Sequence, residues 1–381
     1  MKLEKSNIIP HLQCILLIAI CLFRSVKVSD FPIFPLFVVL FSLIVFLQSN
    51  NLKELIGRNK ELILFLLVNL VLLAIFSTEA TYVGHAIILP FFLVALREFF
   101  QDISFCLIFR KYLYYTIRIV ALFILIPLTI FLIQNIDVII NYINDYNDFS
   151  TWKNRGMIIV NARPFFINSN AATIEIVFFI VAGSLVELFY GNKKSASLVS
   201  LILMIILRVR SLFISMVSAV VLNALSKNKS KKLDVFIVSS LLVFPVFIFF
   251  LPIQLLSGRH LGREVFLNEL NLLPNGIGYS ARALERYTSN SVNNNLGYPI
   301  MRVFDNIHYE LITDYGIVLY GIFLGFILMK FLKDRISLYN TSVIFFFVTL
   351  SCSFGSNFYP VYIFILLFLN FNSVKEKVSI S

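Results

Sequence analysis

The sequence predicts an all-α integral membrane protein of about twelve transmembrane segments, including two broken helical hairpins, with one large loop on the outer face. Three observations predict it. Hydrophobic residues make up 59% of the 381 and charged residues only 14%, whereas about a quarter of a soluble domain is charged. Apolar runs near the ~20 residues that a bilayer-spanning helix requires recur along the chain. The basic residues punctuate those runs, as they do in membrane proteins whose orientation is set by cytoplasmic cations.

Eight runs are continuous: 8–23, 31–48, 62–77, 82–97, 113–135, 173–190, 233–253 and 309–331. Leu12 to Phe23 leads straight into further apolar sequence without a small-residue cleavage site, so the first segment is expected to be retained. Regions 196–226 and 341–371 are apolar but interrupted, by Arg208-Val209-Arg210-Ser211 and by Ser353-Phe354-Gly355-Ser356-Asn357. Each is expected to form two short helices folded back through one turn. Lys193 and Lys194 precede the first region, and Lys227, Lys229, Lys231 and Lys232 follow it; Lys333 and Arg335 precede the second, and Lys375 and Lys377 follow it. Both ends of each pair therefore belong on the cytoplasmic side, which gives twelve crossings with both termini cytoplasmic.

The net charge of +11 does not point to nucleic acid, because the cations lie between apolar spans and form no patch on a soluble surface. Under this topology the two sides differ in kind. Lysine dominates inside, whereas the outer segments hold only Lys27 and Lys153 against ten arginines. Orientation needs any cation, but a planar guanidinium suits phosphate and carboxylate. Cys14, Cys21, Cys106 and Cys352 lie in or beside apolar segments, and neither a disulfide nor a metal site is expected.

Two outer loops are long, 136–172 and 254–307. The larger is expected to contain short helices, because Arg259/Arg263 and Arg282/Arg286 each fall at i,i+4 and would share a face. Arg208 and Arg210 break an apolar run at membrane depth, where ionisable groups are costly and mark functional pathways. His308, in Asn306-Ile307-His308-Tyr309-Glu310, stands where the large loop re-enters the membrane, and Asp305 three residues earlier could orient it as a general base. Asn275-Gly276-Ile277-Gly278 lacks the strand, third glycine and helix of a dinucleotide site and is expected to be a turn. Asp145, Asn147 and Asp148 are expected to be a solvated loop rather than a metal site, and Glu175 and Glu187 interfacial ends of one span.

Three segments in order resemble the O-antigen polymerase and O-antigen ligase superfamily of membrane glycosyltransferases. Arg163-Pro164-Phe165-Phe166-Ile167-Asn168-Ser169-Asn170 resembles the family's arginine followed by a Pro-Asn-type turn opening a helix, with Ser169 in place of the proline. Arg208-Val209-Arg210-Ser211 is similar to the family's Ser-Arg at a hairpin tip; either arginine could be the equivalent, and Arg210, which abuts the returning helix, is preferred. The large loop, with Ser257-Gly258-Arg259, Pro274-Asn275-Gly276-Ile277-Gly278-Tyr279 and His308 before Asp314-Tyr315-Gly316, resembles the family's catalytic loop, though Tyr309 stands where many members have Asn.

The resemblance covers about 163–330 and implies metal-independent transfer of sugar chains from undecaprenyl diphosphate on the periplasmic side of a bacterial inner membrane, without a cofactor. It implies Arg210 and Arg259 on the donor diphosphate and His308 as base. Arg163, Arg208, Arg263, Asn168, Asn170 and Asp305 would make supporting substrate contacts, and Trp152, Tyr279, Tyr287 and Tyr298 would serve as sugar platforms. The implied partners are the lipid-linked oligosaccharide, the bilayer, a flippase and a regulator of chain length, with no nucleic acid. Polymerisation of repeat units is the expected activity. Ligation of the polymer to lipid A core shares the chemistry; a flippase would be expected to show repeated halves and a midplane site, and a scaffold would need neither Arg210 nor His308.

Overall fold

The computed structural model describes residues 5–24, 26–28, 31–49, 52–76, 80–138, 140, 157–164, 170–190, 194–207, 209–225, 260–289, 306–333 and 358–368. Predictions for the run 233–253, for 334–357 in and before the second broken region, and for Asp145, Asn147, Asp148, Trp152 and Tyr298 lie outside those residues. The described chain is helical apart from one two-residue antiparallel pair, β1 (Lys27–Val28) with β2 (Phe31–Pro32). Two compact units are formed, one from Met1–Gln48, Ala95–Met216 and Leu366–Ser381 and the other from Ser49–Val94 and Val217–Ile365.

The first unit contains α1 (Lys5–Leu22), α2 (Phe34–Gln48), α6 (Ile103–Gln134), α7 (Asn170–Tyr190) and α8 (Lys194–Ile206). Helix α7 is its centre, with α1, α6 and α8 packed around it. Every residue from Ile176 to Ala182 is buried, the mark of a helix covered on all sides. Small residues permit this closeness. A Cβ on Gly183 would fall 2.2 Å from Cδ1 of Ile117 on α6, and Ser200 on α8 donates its hydroxyl to that of Ser184 at 2.6 Å.

Helix α6 explains why the composition is so apolar. Phe109, Leu113, Ile117, Val120, Ile124 and Leu128 form a buried stripe at helical spacing, while Ile119, Leu122, Phe123, Ile126, Ile130 and Ile133 on the other side are exposed. A helix in water has a polar outer face; one that is apolar all round is fitted to lipid. Among the described residues, Tyr82–Gln101, Ile103–Gln134 and Thr173–Tyr190 are long and apolar enough to cross a membrane, and Ile8–Leu22, Phe34–Gln48, Leu212–Val221 and Tyr359–Phe368 are shorter apolar helices. The sequence places the start of the span on α6 at residue 113, but the helix begins ten residues earlier, where Asp102 caps it by accepting the Ser104 N–H at 2.8 Å.

Charge inside this unit is paired. Arg110 reaches Glu187 with Nε at 3.0 Å and with its terminal nitrogen at 3.4 Å, Arg24 pairs with Glu175, and the Arg118 guanidinium lies 4.0 Å from the Tyr114 ring centre. Glu175 and Glu187 are thus ion-pair partners rather than plain interfacial ends, and Glu187 is 2% exposed. Helix α8 ends at Ile206 and α9 (Arg210–Leu225) begins at Arg210.

Removing one partner of a buried pair strands the other charge. Arg110→Met should therefore destabilise the detergent-solubilised protein by about 3–5 kcal/mol, and Arg110→Met with Glu187→Met should recover most of that loss. Urea unfolding followed by circular dichroism measures both; equal stability of the single and double variants would show that the pair carries no charge burden.

Candidate functional site

The second unit contains α3 (Leu52–Arg58), α4 (Lys60–Ile75), most of α5 (Ala80–Gln101), α10 (His260–Asn268), α11 (Tyr279–Thr288) and α12 (Ile307–Lys333). The large loop does hold short helices, and α10, α11 and α12 pack on one another. Their shared core is Val265, Phe266, Ala283, Leu284 and Tyr309, in which the Phe266 and Tyr309 rings stack at 4.5 Å. Arg263 lies one turn before Phe266 on α10, and His308 immediately precedes Tyr309.

Helix α12 is not one continuous span. Gly316 has φ +74 and ψ 162, which interrupts the helix. A straight helix would hold residues 308 and 320 roughly 18 Å apart at 1.5 Å per residue. Instead the His308 ring nitrogen Nδ1 meets the Tyr320 hydroxyl, so the two halves fold sharply at Gly316. The sequence reading of 309–331 as one continuous run is corrected accordingly: Ile307–Tyr315 is a separate short helix, and a second helix starts at Ile317.

The segment 269–278 is threaded into this break. The freed amides of Ile317 and Val318 donate to the carbonyls of Asn271 (3.0 Å) and Leu272 (3.3 Å), while Asn275 and Gly276 donate to the Asp314 carbonyl, each at 3.1 Å. The Asp314 carboxylate accepts the amides of Gly278 and Ser280, both at 2.8 Å, and so caps α11 from another part of the chain. The sequence-predicted turn at 275–278 is therefore a turn with a purpose. Gly276 (φ 101) and Gly278 (φ 79) have left-handed backbones, and Cβ atoms there would lie 2.7 Å from Phe76 Cβ and 2.5 Å from Tyr82 Cγ. The Tyr315 hydroxyl donates to Asn69 Oδ1 at 2.8 Å and Asn69 Nδ2 to the Ala86 carbonyl at 2.9 Å, which ties the short helix to α4 and α5.

His308 is 6% exposed. Asn306 caps its helix by accepting the His308 amide at 2.9 Å, and Tyr320 engages the ring. Burial pushes the imidazole below its ordinary value, to about 4, so it is uncharged at neutral pH. On α11, the Tyr279 hydroxyl donates to Glu269 at 2.6 Å and the Tyr287 hydroxyl to Glu264 at 2.6 Å. These carboxylate partners, more than burial, push both phenols above their ordinary values.

Of the residues singled out by sequence, His308 and Arg263 fall in this unit, with α10 and α12 in contact. Arg163 belongs to the first unit, as do the backbone of Asn170 at the start of α7 and that of Arg210 at the start of α9. Arg208, Arg259, Asn168 and Asp305 lie outside the described residues. The described partner of the His308 ring is Tyr320, which the sequence reading did not single out. A carboxylate within an apolar run was a legible signal for Asp314; nothing local could have indicated Tyr320. Among the described residues no cluster of His, Cys, Asp and Glu could hold a metal ion. Comparison with protein-family models, curated proteins and solved structures finds no match.

Two substitutions probe this arrangement. Gly316→Ala places a Cβ 2.5 Å from the Leu273 carbonyl carbon at a positive φ, and a loss of stability of about 1–3 kcal/mol is expected in detergent unfolding. Asp314→Asn keeps the shape but turns one of the two accepting oxygens into an amide donor, and hydrogen exchange at Gly278 or Ser280 should accelerate by at least tenfold. Unchanged exchange would contradict the clamp.

Proposed function

We propose that this protein polymerises undecaprenyl-diphosphate-linked oligosaccharide repeat units, such as those of O-antigen or capsular polysaccharide, by glycosyl transfer on the outer side of a bacterial inner membrane. It would cross that membrane about twelve times with both termini cytoplasmic. The observation that carries the reading is the packing of the arginine-bearing loop helices on the helix that presents a buried, uncharged His308. The order of Gly-Arg, Gly-x-Gly and re-entry His in the sequence supports it, as does the arginine bias of the outer segments.

In the proposed step His308 accepts the proton of the acceptor hydroxyl, with Nδ1 oriented by Tyr320. The oxygen attacks the anomeric carbon of the donor, a new glycosidic bond forms, and the bond to the diphosphate breaks with inversion. The leaving polyprenyl diphosphate takes the electron pair. Arg210 and Arg259 neutralise the charge developing there, with Arg163, Arg208 and Arg263 in support and no metal required. Asn168, Asn170 and Asp305 complete the substrate contacts.

Gene deletion followed by gel analysis of surface polysaccharide tests the reading. Loss of the length ladder with one repeat unit still attached to core is expected. Loss of all attachment with accumulating lipid-linked polymer would mean a ligase, and single units trapped on the inner leaflet a flippase. His308→Ala and Arg210→Ala should each lower ladder formation by about 10²-fold or more at unchanged protein level. The neutral base also sets a sign: the rate should hold from pH 8 to below 6 and fall only toward pH 4, because imidazole protonation is delayed by burial. An acid limb centred at 6.5 in purified protein would rule out this environment for the base.

A further inference from the structure

We propose that Arg282 and Arg286, standing beside the threaded segment, bind the phosphate of a membrane lipid whose chains lie along an apolar ledge formed by that segment and the start of the span on α12. Two independent observations meet here. The first is a cation pair without a carboxylate. Arg24, Arg58 and Arg110 each pair with a glutamate, whereas among the described residues Arg282 and Arg286 make no ion pair. Their guanidinium groups lie 6.0 and 5.5 Å from the Tyr279 ring centre, one helical turn apart on one face of α11. Arg286 also engages the Tyr279 hydroxyl that Glu269 holds, and the remaining donors of the two guanidinium forks are left to a phosphate.

The second observation is the ledge. Leu270, Leu272, Leu273, Ile317, Val318 and Ile322 are 39–70% exposed. They are contiguous, since the amides of Ile317 and Val318 are bonded to the carbonyls of Asn271 and Leu272. An exposed leucine-rich patch in water is unfavourable, and its direct continuation into the apolar helix of residues 317–333 commits it to bilayer hydrocarbon. Glu269 joins the two features: its carboxylate holds the Tyr279 hydroxyl, and Leu270 follows it in the chain. Cations beside leucines is the pairing that suits a phosphate-bearing lipid at a membrane surface. The site rests on 317–333 being a span but not on the transferase reading, because lipid binding is measured without an acceptor or turnover.

The shared chemistry is a lipid phosphate, from either an anionic phospholipid or a polyprenyl diphosphate. Full-length protein in detergent is titrated with phosphatidylglycerol, with undecaprenyl diphosphate and with phosphatidylcholine, and bound lipids are counted by native mass spectrometry. The wild type should retain one anionic lipid in preference to phosphatidylcholine. Arg282→Gln with Arg286→Gln should weaken that binding at least tenfold, and Arg282→Lys with Arg286→Lys by less, which separates loss of charge from loss of fold. Displacement of phosphatidylglycerol by a small fraction of undecaprenyl diphosphate assigns the site to the polyprenyl lipid; retention of phosphatidylglycerol assigns it to the bilayer. Equal binding by the glutamine variant and the wild type, or no preference over phosphatidylcholine, would overturn the proposal.

Discussion

The second unit depends on the interruption of a helix at Gly316. A helix broken in mid-course frees amides that are costly to bury without a partner. Here the amides of Ile317 and Val318 are taken by carbonyls of the segment that crosses the break, and the Asp314 carboxylate holds two more amides from the turn beyond it. The break and the crossing segment therefore require each other. Their consequence is that the short helix folds back, bringing the His308 ring to Tyr320 and laying Tyr309 against Phe266 of the loop helix α10.

Packing in the first unit follows a different rule. Close approach of the helices comes from small side chains, and Gly183 with the Ser184–Ser200 pair supplies it around α7. Two of the unit's arginines are held by glutamates, Arg110 by Glu187 and Arg24 by Glu175. In the second unit, Arg282 and Arg286 of α11 instead gather at the Tyr279 ring, whose hydroxyl is held by Glu269.

The helical fold class was legible because composition and the length of the apolar runs register helices, and α8 and α9 end and begin beside the charged Arg-Val-Arg sequence. Of the two i,i+4 arginine pairs, Arg282/Arg286 lies on one short helix, α11, and Arg259 lies outside the described residues. What composition could not register was order within an apolar run. Residues 309–331 read as one segment because hydropathy averages over Gly316, whose left-handed backbone depends on Leu272 and Leu273 over forty residues earlier in the chain. Tyr320 was invisible for the same reason: its contact with His308 exists only once the helix has folded. Likewise the N-terminal extension of α6 to Ile103 rests on the Asp102 cap, a one-residue signal outside the apolar window.

Solid-state nuclear magnetic resonance of reconstituted protein carrying 15N-histidine and 13C-tyrosine tests the folded break most directly. His11 and His85 also hold tyrosine hydroxyls, from Tyr112 and Tyr359, so the informative signal is the difference between wild type and Tyr320→Phe. A hydrogen-bonded pair places His308 Nδ1 about 4 Å from the tyrosine Cζ, and one dipolar contact should vanish in the variant. Identical spectra for the two proteins would mean that the helix runs straight through Gly316, with these residues roughly 18 Å apart, and the account of the site would not stand.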